Sequence, residues 1–104
     1  MANPRIEPLK KVLAIDPSDD VAWFGLGKAY LEDGNNDEAI TALESCVRVK
    51  PTYSAAYLAL AQALQRAGRI DECRKICEQG IEISTKNGDA MVTKNLGFLK
   101  DTLP

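Results

Sequence analysis

Apolar positions recur along this chain at the three- and four-residue intervals of amphipathic helices, in six stretches separated by proline, glycine or asparagine. Ile6, Leu9, Val12 and Leu13 mark the first, and Pro8 is tolerated there only if the helix begins near Glu7 or Pro8. Trp23, Leu26, Gly27 and Tyr30 stand at i, i+3, i+4 and i+7 of a second, with Ser18 or Asp19 as its predicted cap and Asp33 near its end. Gly34 suits a left-handed stop. Asn36 is the predicted cap of a third helix over 37–50, which opens on Asp37 and Glu38 and buries Ala39 and Leu43. A fourth helix over 52–67 carries Tyr57, Leu60, Ala61 and Leu64 and stops at Gly68. The fifth begins at Ile70, carries Cys73, Ile76, Cys77, Gly80 and Ile81, and is expected to run past residue 84. Asn87-Gly88-Asp89 then reads as a stop followed by a new cap, and a last helix over 90–103 places Val92, Leu96, Leu99 and Leu103 on one face with Met91 and Phe98 beside it.

Shifted against itself by 34 residues, the chain repeats. Pro17 meets Pro51, Ala22 meets Ala56, Trp23 meets Tyr57, Leu26 meets Leu60, Gly27 meets Ala61, and Gly34 meets Gly68. The matches concentrate at small, aromatic and turn positions, where two packed helices need close backbones, fillers and a break. The second copy is degenerate toward its end: Cys73, Cys77 and Gly80 replace Ala39, Leu43 and Cys46, and Thr85 stands where a proline would.

This spacing of Trp23, Leu26, Gly27, Tyr30, Gly34, Ala39, Leu43 and Pro51 closely resembles the tetratricopeptide repeat (TPR), in the form of a small bacterial-type TPR domain protein. The resemblance implies an all-α fold: a right-handed superhelical array of antiparallel helix pairs, a TPR-like α-solenoid of about six helices. It also implies one domain over 1–104, with a half-repeat helix at 4–17, a repeat at 18–51, a degenerate repeat at 52–86 and a capping helix at 89–103.

Composition removes several kinds of function. Apolar residues make up 45% and charged residues 27%, the balance of a soluble globular chain. A net charge of −2 with interleaved signs offers no basic footprint for nucleic acid. No stretch approaches the ~18 apolar residues of a membrane span, the start lacks a secretory core, and three unpatterned cysteines suit a reducing compartment, so cytoplasmic residence is expected. Histidine is absent, which takes away the commonest general base and neutral metal ligand. Gly25-x-Gly27 lies inside a helical stripe with no strand before it, and the acidic pairs Asp19-Asp20, Asp37-Glu38 and Asp71-Glu72 open helices. The expectation is a protein that is not an enzyme, with no cofactor and no metal. Cys73 and Cys77 share a helix face, and Cys46 lies on the equivalent helix, so three thiols are within reach of one another. Packing thiols are the preferred reading; a metal- or redox-sensing accessory protein is the alternative.

In TPR proteins the first helix of each pair lines a concave groove. Carried onto this chain, that places Val21, Phe24, Lys28, Leu31 and Glu32 in the groove from the first copy and Ala55, Leu58, Gln62, Gln65 and Arg66 from the second, with Tyr53 at the rim. Phe24, Leu31, Tyr53 and Leu58 fall outside the buried stripe, and their apolar surface needs a destination. A peptide or protein segment, the curled-in C-terminal helix, or a second copy in a homodimer would each provide one. The resemblance thus implies a non-catalytic protein–protein interaction module, with a self-associating scaffold as the alternative. Phe24, Leu58 and Ala59 occupy places where the chaperone-binding branch of the family carries polar grips for a C-terminal carboxylate, so chaperone tails are not the expected ligand.

Overall fold

The computed structural model describes residues 3–104. Six helices follow in order, with no strand among the described residues: α1 (Ile6–Ile15), α2 (Asp20–Glu32), α3 (Asn36–Val49), α4 (Ser54–Arg66), α5 (Ile70–Asn87) and α6 (Ala90–Asp101). α1 starts at Ile6, slightly ahead of the expected Glu7 or Pro8, which leaves Pro8 in the first turn where its missing N–H removes no helical bond. α5 does run past residue 84, to Asn87. α6 stops short of Leu103, which packs against the core from beyond the helix end.

Three of the helix ends are built alike. Gly34, Gly68 and Gly88 have φ of 78°, 77° and 73°. The next backbone N–H reaches back in each case, from Asn35 to Tyr30 O at 2.9 Å, Arg69 to Leu64 O at 2.9 Å, and Asp89 to Ser84 O at 2.8 Å. Helix starts are less uniform. Asp19 caps α2, its carboxylate accepting the Ala22 N–H at 3.0 Å. The cap expected of Asn36 is not formed, because the Gly34 turn delivers the chain into α3 one residue early. Asn35 becomes the cap residue and makes no side-chain cap bond, while Asn36 Oδ1 is buried without a partner.

Small residues set the approach of each pair. A Cβ on Gly27 would stand 2.4 Å from Leu43 Cγ, so α2 and α3 close only over a glycine. In the next pair the sizes are exchanged: Ala61 stands in the glycine's register and Cys77 in the leucine's, both fully buried. The degenerate cysteines thereby compensate volume. Gly80 serves the following contact, where a Cβ would meet Tyr57 Cβ at 2.8 Å and Leu96 Cδ1 at 2.6 Å. Trp23 is half-buried rather than part of a sealed stripe; its indole N–H donates to Pro17 O at 2.8 Å, as Tyr57 O–H donates to Pro51 O at 2.7 Å.

Two layers result. α2 touches α4 and α4 touches α6, whereas α1, α3 and α5 make no contact with one another among the described residues. The layer of α2, α4 and α6 is therefore the drawn-in side of the array, and the other three helices splay apart on the far side. This is a TPR-like α-solenoid.

Candidate interaction groove

On the drawn-in side, α2 presents Val21, 65% exposed, with Phe24 and Lys28 half-buried in the following turns. Tyr53, the residue ahead of α4, reaches back to Phe24; their rings stack with centroids 5.1 Å apart and 24° between planes. The Lys50 ammonium lies 5.6 Å from the Tyr53 centroid and pairs with Asp20 at 3.7 Å. Burial, with the nearby Cys46 and Asp20, raises the Tyr53 phenol above its ordinary value, so it stays neutral. The stack is an aromatic wall tying α2 to α4. Ala55 lies half-buried on α4. Farther along that helix, Leu58, Gln62, Gln65 and Arg66 line one side of a pocket of about 410 Å³ whose other side is Asn95, Phe98, Leu99 and Thr102 of α6.

Two expected groove residues are otherwise engaged. Leu31 is buried at 6% exposure and belongs to the core, not the open face. The end of α4 lies over the end of α2, where the Arg66 guanidinium donates to Leu31 O at 3.5 Å. Glu32 is exposed, but its carboxylate accepts the Arg5 guanidinium at 3.1 Å and the Asn3 side-chain amide at 2.9 Å. It braces the start of α1. Lys28 is left without an ion pair among the described residues.

The α6 side of the pocket was not foreseen, because a strict 34-residue step puts Phe98 on the buried stripe. The cap positions Asp19, Tyr53 and Asp89 are spaced 34 and then 36 apart. The two extra residues at the end of α5 rotate α6, so Phe98 takes the register of Lys28 and Gln62, and Met91 that of Val21 and Ala55. Phe98 is 65% exposed and Met91 67%. The stop at Asn87-Gly88-Asp89 was the available signal. α6 does not curl over the groove; it contacts α4 and α5 but not α2, and so widens it.

The three thiols do not converge as expected. Cys46 Sγ donates to Asp20 O at 3.4 Å, on α2, and Cys73 Sγ to Ala61 O at 3.2 Å, on α4. Each is drawn to the partner helix of its own pair. All three cysteines are fully buried, and burial pushes Cys46 up to about 11 and Cys77 up to about 12. Burial also raises Cys73. Protonated, enclosed thiols are poor nucleophiles. Among the described residues, no group of three or more His, Cys, Asp or Glu has the arrangement to hold a metal ion, and no helix is long and apolar enough to cross a membrane.

Comparison with known proteins agrees with this architecture. The sequence model of the tetratricopeptide repeat matches at residues 6–47 and 31–92. A TPR repeat-containing protein of Pseudomonas aeruginosa is 37% identical over 91 residues, covering 88% of this chain and 87% of the relative. A Bordetella parapertussis protein solved in solution is 31% identical, with a TM-score of 0.79 across 92% of this chain and 84% of that one. The TPR2B domain of yeast Sti1, solved in a complex with pHsp70, reaches a TM-score of 0.86 at 13% identity over 91% of this chain and 76% of its own, a likeness of fold alone. With the repeat present in sequence and in packing, the chain belongs to the tetratricopeptide repeat family.

Proposed function

We propose that the chain is a non-catalytic interaction module that binds a segment of another protein along the face of α2, α4 and α6. The observation that carries the reading is the pocket between α4 and α6. There the 65%-exposed Phe98 stands across from Leu58, with Gln62, Gln65, Arg66 and Asn95 as polar groups around them. A large aromatic left open beside hydrogen-bonding side chains is the composition of a peptide-binding cleft. The Phe24–Tyr53 wall and Val21 continue the apolar surface toward α2. Val21, Phe24, Lys28, Tyr53, Ala55, Leu58, Gln62, Gln65 and Arg66 remain the groove set, extended by Met91, Asn95 and Phe98 in place of Leu31 and Glu32. The yeast Sti1 TPR2B domain, in its complex with pHsp70, lends the fold a precedent for a protein ligand.

Peptides selected from a random library on the immobilised protein test this. Leu58→Glu and Phe98→Glu are expected to weaken their binding at least about tenfold, a loss of ~1.4 kcal/mol. Unchanged affinity in both variants, with helicity intact, would refute the groove.

A further inference from the structure

The two outer helices carry faces that match each other. At the 34-residue spacing α1 stands in the register of α3, so Leu9, Val12 and Ile15 correspond to Leu43, Cys46 and Val49. In α3, Leu43 and Cys46 are fully buried because α2 lies against them: Leu43 fills the space over Gly27, and the Cys46 thiol reaches Asp20 O. No described helix occupies the equivalent side of α1. Leu9 packs on Gly25 from the other side and is half-buried, while Val12 is 40% and Ile15 87% exposed.

α6 corresponds to α2 when the two are aligned at their caps, Asp89 on Asp19, which pairs Ala90, Thr93 and Gly97 with Asp20, Trp23 and Gly27. A Cβ on Gly27 would collide with Leu43, whereas one on Gly97 would meet nothing within 4 Å. Thr93 replaces the tryptophan, and a pocket of about 330 Å³ opens beside it, lined by Ser84, Thr85, Gly88, Ala90 and Lys94. α6 has the socket of a repeat's first helix without the knob.

We propose that α1 of one copy docks on α6 of another, Leu9 over Gly97, with Val12 and Ile15 against Ala90 and the pocket at Thr93. Three observations select a second copy as the occupant. The register is the one that already joins α3 to α2 within the chain. Sizes change reciprocally, with Val12 larger than Cys46 where Thr93 is smaller than Trp23. Charge agrees as well: Thr41 and Tyr30 line one pocket between α3 and α2, and their counterparts Glu7 and Lys100 carry opposite signs. Because the two faces differ and lie on opposite ends of the array, the contact runs head to tail and leaves a free face at each end, so copies add without closing a ring.

Sedimentation velocity over a concentration series up to millimolar tests this on the intact chain. The average mass of the wild type is expected to climb past that of a dimer. Gly97→Trp, which fills open space, and Ile15→Asp, at an exposed site, each remove one face and are expected to stay monomeric alone. Mixed one to one, they retain one good face each and are expected to form a dimer and stop there. If circular dichroism finds Gly97→Trp unfolded, Ala90→Arg takes its place. A wild type that stays monomeric, a single variant that still associates, or a mixture that does not dimerise would overturn the proposal.

Discussion

Gly27 and Gly97 share a register and will respond oppositely to one methyl group. Gly27→Ala drives a Cβ into Leu43 and is expected to lower stability by about 1–3 kcal/mol, as overpacking does. Gly97→Ala enters open space and gains roughly 0.5–1 kcal/mol from helix propensity. Urea denaturation of the two variants reads the contrast directly. The thiols make a second residue-level prediction. Cys46 and Cys77 have an ordinary value of 9.0 and are held near 11 and near 12 in the fold. The folded state keeps its protons longer, so this contribution is intact below 9.0 and is lost as pH rises through the folded values. The urea midpoint should fall on alkalinisation, and fall less steeply in Cys77→Ala. What sequence disclosed at this scale was the inward stripe, because Leu26, Gly27 and Tyr30 are buried by their own helix pair. Leu31 was misread because its burial comes from α4, a helix in the next repeat. Glu32 was misread because Arg5, 27 residues away, takes its carboxylate.

At the scale of elements, helix ends were readable and starts were less so. A glycine at positive φ is a local requirement, and Gly34, Gly68 and Gly88 all meet it. A cap depends on where the preceding turn delivers the chain, which is why the cap assigned to Asn36 moved to Asn35 and formed no side-chain bond. Asp19→Ala should cost ~1 kcal/mol by freeing the Ala22 N–H, while Asn35→Ala should cost much less, since its side chain caps nothing. Chemical denaturation of both variants measures the difference. α6 was recognised as a helix, yet its facing was not, because two extra residues in α5 turn it by more than half a helical revolution. That rotation exposes Phe98 and Met91 in groove register.

The whole molecule joins these pieces into one surface. Glycine and alanine contacts draw the helices of each pair together, contacts among α2, α4 and α6 gather those three on one side, and the open apolar residues Val21, Met91 and Phe98 lie there. The conspicuous residues of the repeat, Trp23, Gly27 and Tyr30, hold the scaffold, and the residues between them carry the surface offered to a partner. Backbone amide chemical-shift mapping, with a library-selected peptide titrated into isotope-labelled protein, tests that division most directly. The account predicts perturbations that cluster on Phe24, Tyr53, Leu58, Gln62, Asn95 and Phe98, with α3 and the outer turns of α5 silent. Perturbations centred on α3 and α5, with that set unmoved, would contradict it.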